Sequence, residues 1–460
     1  MNTNNKFFLL ILSCLSIFSF SCRKFLEIPP PNNQLVNSEV FTDSADATNA
    51  VVGIYINMMQ AVSLNIGSGG LTLYPGLSSD ELYPTNNITD ENDFYKNEIA
   101  PTNNLNSSSL WINAYSILYS ANACLEGLAQ SNISDVVKNQ LIGEAKFSRA
   151  FLLFNLSNLY GPIPLVTSTD YHKNQILPRS PLDSVYAQII NDLEDAQNLL
   201  SANYPTAGRF RPNRFTASAL LAKVYLYQKN WTDADKNATE IIDAGIYSLE
   251  TDLNNVFLTG SNETIWELSS VFPGLETWEG YFFLPPSSDI IPSYIITDSL
   301  LNAFENGDER RQKWLNKNTV NGNDYYYPYK YKLGYDGLSV PLEGYVVFRL
   351  SEQYLIRAEA RAQEGNLSGA ISDLNLIRNR AGLQNTTATD QTSVLSAIQH
   401  ERQVELFCEW GNRWFDLKRT GKATEVLSLI KPHWQAKDTL YPIPQTELNS
   451  NPFLIQNPGY

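Results

Sequence analysis

Paired carboxylates can cleave a glycosidic bond, and Asp80 with Glu81, or Glu276 with Asp289, offer such pairs. Hydrolysis needs the two groups about 5–5.5 Å or 6.5–9.5 Å apart, a geometry that sequence does not supply. Carboxylates are also abundant in a chain with 48 acidic and 33 basic residues, so no residue is assigned a catalytic role. The net charge of −15 argues against binding nucleic acid, whose phosphates require a basic surface. His172, His400 and His433 are scattered, with no partner at metal-binding spacing. Asp233-x-Asp235-x-Asn237 begins like a calcium loop, but Ala238 stands where its sharp turn needs glycine and Ala244 where its bidentate glutamate belongs. It therefore reads as a solvated helix face. Gly67-Ser68-Gly69-Gly70 completes no phosphate-binding fingerprint. Cys124 and Cys408 are too few and too far apart for a disulfide framework and read as buried thiols. No cofactor or metal is expected.

What remains is aromatic. Aromatic residues make up 12% of the chain, and several fall among glycines and prolines rather than in periodic stretches. Trp278-Glu279-Gly280-Tyr281-Phe282-Phe283, between Pro273-Gly274 and Pro285-Pro286, is the strongest group. Tyr74, Asp80, Tyr83 and Asn86 follow, then Trp314 and the run Tyr325-Tyr326-Tyr327. Trp111, Trp231 and Trp266 lie in periodic stretches and are expected in the core.

These residues need a scaffold, and the periodicity is mostly helical. Laying residues 222–241 over 358–377 places Asn230 on Asn366, Trp231 on Leu367, Ala234 on Ala370 and Ile241 on Ile377. Each copy reads as two amphipathic helices whose alanines permit close approach. Further helices are expected over 111–128, 135–159 and 182–200. The expected fold is mainly α, a tetratricopeptide-like helix-pair superhelix carrying an irregular, loop-rich ligand-binding region. Residues 64–108 and 247–350 should be loops and short strands. Near residue 405, Glu401, Glu405 and Glu409 share one helical face, with Glu409 four residues before Arg413. With Asp416, these residues are expected to form a structural ion-pair network.

The N-terminus carries Lys6, a short apolar run and then Ser21-Cys22. That run suits a signal peptide rather than a spanning helix, which needs about 20 apolar residues. Residues 1–21 are read as a signal peptide, Cys22 as a lipidation site, and 22–31, with its proline run, as a stiff tether. The parts that follow are 32–246 and 247–460, the latter with its insert 247–350, packed as one compact unit.

The C-terminal residues are more specific. Glu401-Arg402-Gln403-Val404-Glu405-Leu406 leads into Gly411-Asn412-Arg413-Trp414-Phe415-Asp416-Leu417-Lys418-Arg419-Thr420-Gly421, which closely resembles the signature of the SusD/RagB family. Gln403 departs from that signature's usual second arginine. Tyr441-Pro442-Ile443-Pro444 and the ending Gln456-Asn457-Pro458-Gly459-Tyr460 resemble the same family's closing motifs. The resemblance implies a non-enzymatic lipoprotein, anchored in the bacterial outer membrane and facing outward. It would capture a glycan and pass it to a SusC-like TonB-dependent transporter. A sugar's C–H bonds can lie against an aromatic face while carboxylates and amides meet its hydroxyls. Trp278, Tyr281, Tyr74, Asp80, Tyr83, Trp314 and Tyr325 are therefore the candidate ligand contacts. The alternatives are a peptide-binding receptor of the same architecture, a glycoside hydrolase, and a protein-interaction scaffold.

Overall fold

The computed structural model describes residues 40–60, 64–338 and 340–460. The expected signal peptide, Cys22 and the tether lie outside the described residues. Twelve described α-helices have eight residues or more. They are α1 Ser44–Met59, α2 Gly70–Ser78, α3 Thr89–Lys96, α4 Asn113–Ala129, α5 Asp135–Tyr160, α6 Leu182–Leu199, α7 Arg214–Tyr227, α8 Trp231–Asp243, α9 Leu350–Gln363, α10 Leu367–Arg380, α11 Gln391–Glu405 and α12 Asn412–Arg419. From α4 to α10 each helix packs on the next, and α11 closes against α9 and α10. The scaffold is thus the helix-pair array that the periodicity predicts.

The two repeat copies turn in the same way. Lys229 and Gly365 both take left-handed backbone, with φ of 58° and 84°. The N–H of Asn230 donates to the Tyr225 carbonyl (2.9 Å), and that of Asn366 to the Arg361 carbonyl (2.8 Å). Each is a Schellman closure, which satisfies carbonyls that a helix end would leave orphaned. Each asparagine side chain then caps the next helix, accepting from Asp233 N–H or Gly369 N–H. The copies pack directly, α8 on α9, with Asp235 accepting from Arg361. The Asp233–Asn237 segment is helical as expected but not a solvated face: Asn237 is buried and accepts from Gln197, and Asp235 is half-buried at the contact with α9.

Among the described residues, six short strands pair as three antiparallel two-stranded sheets. They are β1 Leu82–Pro84, β2 Thr264–Leu268, β3 Tyr294–Ile296, β4 Leu315–Val320, β5 Asn323–Pro328 and β6 Tyr345–Arg349, and β1 pairs with β3, β2 with β6, and β4 with β5. The β2–β6 sheet sits on α5. There Trp266 meets Phe147 and Phe151 edge-to-face at 4.9 and 5.5 Å, and its indole N–H donates to the Phe210 carbonyl. Trp111 and Trp266 are buried as expected; Trp231 is only half-buried and lines a cavity with Tyr227.

Residues 64–108 depart from the expected loops and strands. They hold α2, α3 and a π-helical segment, Leu105–Ile112, and only β1 is a strand. All nine residues of α2 are buried, so it has no polar face to give a helical period, and Pro75 inside it reads as a breaker. The preceding glycine run serves close approach. A Cβ at Gly67 would stand 2.6 Å from the Met58 carbonyl oxygen, and Gly69 takes φ +86° at the start of α2.

Candidate functional site

The deepest polar feature is a buried ion cluster. Arg349, on β6, meets Glu263 (3.0 Å), Glu405 and Glu409 (2.8 Å). Arg310 meets Asp308 (2.8 Å), Glu401 (2.6 Å) and Glu405 (2.9 Å). Arg380 bridges Glu263 and Glu405, Arg378 reaches Glu401, and Lys330 meets Glu409. Burial alone would raise the carboxyl pKa of Glu405, but Arg380, Arg349 and Arg310 hold it well below the usual range. Burial pushes the Lys330 ammonium down to about 8 even beside Glu409. The cluster joins β6, α10, α11 and the segment around Arg310, and fixes the base on which the loop-rich region stands.

Above β6 lies a platform of exposed rings. A short helix, Trp278–Phe283, is capped by Thr277, whose hydroxyl accepts from Gly280 N–H at 3.0 Å. Its buried Glu279 accepts from the Thr72 hydroxyl of α2 (2.8 Å), and burial pushes that carboxyl up to about 7. Phe282 and Phe283 pack against Tyr294 of β3. These inward contacts turn Tyr281 outward, 58% exposed, with half-buried Trp278 edge-on to it at 5.6 Å and to Phe272 at 6.0 Å. A second segment, 333–337, runs alongside. Glu276 N–H donates to the Gly334 carbonyl and Asp336 N–H to the Gly274 carbonyl, both at 3.0 Å. Gly280 permits this approach, since a Cβ there would run into the Leu333 carbonyl oxygen. Tyr335, 68% exposed, lies over Gly274, where a Cβ would stand 2.9 Å from its ring. Glu276 accepts from Leu342 and Glu343 N–H at 2.6 and 2.8 Å, and burial, with the negative charge of the exposed Asp336, raises its carboxyl pKa.

A model of the SusD family matches residues 302–460, and one described as starch-binding and associating with the outer membrane matches residues 24–226. The chain belongs to the SusD family. A SusD-like protein of Formosa agariphila is 27% identical over 98% of both chains. The starch-binding protein SusD of Bacteroides thetaiotaomicron is 34% identical over 138 residues, which cover 27% of this chain and 22% of that protein. Among solved structures, a SusD superfamily protein from Bacteroides vulgatus superposes with a TM-score of 0.80 at 23% identity, over 91% of this chain and all of that one. A laminarin-binding SusD-like protein does so at 0.74 and 24% identity, over 90% of this chain and 99% of that one.

In this SusD-family chain the signature residues are buried and paired, though not as sequence spacing predicts. Helix α11 ends at Glu405, and Cys408, Trp410 and Gly411 take φ of 51°, 49° and 69°, so Glu409 and Arg413 do not share a helix. Glu409 turns to Arg349 and Lys330, while Arg413 pairs with Asp80 at 2.7 Å. Asp416 accepts from Arg402 and Arg419, each at 2.7 Å, and these two cations outweigh burial in lowering its pKa.

Burial corrects three candidate contacts. Asp80 is 1% exposed and held by Arg413, so it meets no ligand. Tyr74, 2% exposed on the buried α2, stacks on Phe94 at 4.9 Å. Trp314 is fully buried; its N–H donates to the Leu253 carbonyl and its ring underlies Lys330, Arg349 and Arg380. Tyr83 is 43% exposed, but strand alternation puts it with Ile295 on the face of β1–β3 away from Tyr294, where it lines a separate cavity of about 320 Å³ with Tyr95 and Lys431. Asn86 donates to Glu91. Tyr325 sits half-buried on the β4–β5 hairpin opposite Asn318, outside the platform. The platform therefore joins Trp278 and Tyr281 to Tyr335, which the sequence reading missed. The sequence signal for it was a lone tyrosine in Gly334-Tyr335-Asp336-Gly337.

Proposed function

We propose that this chain captures a glycan on the platform of Trp278, Tyr281 and Tyr335 and delivers it to a SusC-like TonB-dependent barrel, held at the membrane by acyl chains on Cys22. The observation that carries the reading is the pair of outward tyrosines, both more than half exposed, on two segments stitched together through their backbones. Rings held rigidly with free faces suit sugar C–H groups, and the Asp336 carboxylate beside them can accept hydroxyls. The hydrolytic pairs do not fit. Asp80 is locked by Arg413, Glu81 is buried, and Glu276, the proposed partner of the exposed Asp289, is itself buried with its carboxylate turned to the Leu342 and Glu343 N–H groups.

Starch and laminarin, the glycans named for a matched family model and for a fold neighbour, are the first probes. Tyr281→Ala and Tyr335→Ala should each weaken calorimetric binding about five- to tenfold, the loss of about 1 kcal/mol per ring, without shifting the melting temperature. Unchanged binding in the double variant would remove the platform from the function. Tight binding of a peptide library in place of any glycan would move the reading to a peptide receptor. Affinity purification from solubilised outer membranes should recover one large barrel protein, and recovery of the receptor alone would count against the hand-over.

A further inference from the structure

A second aromatic groove lies on the helical side of the molecule. It has a volume of about 360 Å³ and is formed by α4, the segment 164–175 and the C-terminal segment 447–454. Tyr119 on α4 is 51% exposed and Tyr171 is 65% exposed. The Tyr171 ring is held by the neighbouring His172 ring at 3.8 Å. Tyr115 is fixed deeper by donating its hydroxyl to the Pro164 carbonyl at 2.9 Å. Glu447, on the same wall, is half-buried, and burial raises its carboxyl pKa. Asn174 and Gln175 complete the polar edge.

From this arrangement we infer a second glycan-binding groove, for a neutral chain, with Tyr119 and Tyr171 as its ring platforms and Glu447 as a hydroxyl acceptor. The inference rests on the glycan reading of the first platform. The choice of ligand follows from the wall chemistry. Free ring faces beside a carboxylate and two carboxamides suit hydroxylated rings. The lining holds one carboxylate and no lysine or arginine, which disfavours uronic or sulfated glycans. Because none of the groove's residues belongs to the first platform, one long polysaccharide touching both would gain avidity without any new contact.

The test compares wild type, Tyr119→Ala/Tyr171→Ala, Tyr119→Phe/Tyr171→Phe and Tyr281→Ala/Tyr335→Ala in titrations with laminarin and with starch. The groove alanine pair should weaken polysaccharide binding about tenfold with an unchanged melting curve, since both side chains are exposed. The phenylalanine pair, which keeps the ring faces, should bind within about twofold of wild type. If the groove alanine pair binds as wild type does while Tyr281→Ala/Tyr335→Ala binds weakly, the groove is overturned and the platform stands. If wild type binds neither polysaccharide, both readings fall.

Discussion

Replacing Glu405 with glutamine removes one charge from a cluster in which Glu263, Asp308, Glu401, Glu405 and Glu409 face Arg310, Lys330, Arg349, Arg378 and Arg380. These five buried carboxylates match the five cations in number, and the exposed Glu305 meets Arg378 as well, at 2.6 Å. Glu405 is fully buried and touches three of the cations, so Glu405→Gln leaves an uncompensated positive charge away from water. Breaking a buried pair from one side costs about 3–5 kcal/mol, a large part of the about 5–15 kcal/mol that holds a typical domain folded. Equilibrium urea unfolding, followed by fluorescence of Trp314 and the other indoles, should show that loss. Adding Arg310→Met restores the match in number, so the double variant should be less destabilised than the sum of the singles by about 0.5–3 kcal/mol. A Glu405→Gln protein within about 1 kcal/mol of wild type, or strict additivity with Arg310→Met, would refute the account of the cluster as a matched unit.

Three further outcomes follow from the same structure. Burial and the adjacent Asp80 raise the Glu81 carboxyl from 4.5 to about 8, so the folded chain keeps a proton that the unfolded chain loses. That contribution is full below about pH 4.5 and lost as pH rises through about 8; urea midpoints across this window should fall more steeply for wild type than for Glu81→Gln. Lys229→Gly should stabilise by about 1 kcal/mol in thermal unfolding, because Lys229 holds the left-handed conformation that its repeat counterpart assigns to Gly365. Gly280→Ala should disrupt glycan binding more than Tyr281→Ala does, by forcing the two platform segments apart at the Leu333 carbonyl; binding equal to wild type would show that the stitching is dispensable.

The scaffold was legible because amphipathic helices write their exposure into sequence every three to four residues, as 222–241 and 358–377 do. Helix α2 left no such record because every face of it is buried. The site was half legible for a related reason. Trp278 and Trp314 both fall in the irregular region 247–350, yet one ring supports an exposed platform and the other lies beneath three buried cations. What separates them is tertiary placement, as with Asp80, whose partner Arg413 is 333 residues away.

The direct packing of α8 on α9 has a consequence for how receptors of this shape can diversify. The two helices are consecutive members of the array, but more than a hundred residues, including both platform segments, leave the chain between Asp243 and Leu350 and return to nearly the same place. Closing a flexible excursion costs entropy that grows only with the logarithm of its length, about 0.6 kcal/mol for each doubling. Lineages could therefore lengthen, shorten or replace this excursion while the helices on either side keep their contacts. New ligand specificity would then arise by exchanging a cassette, at a cost the array hardly registers.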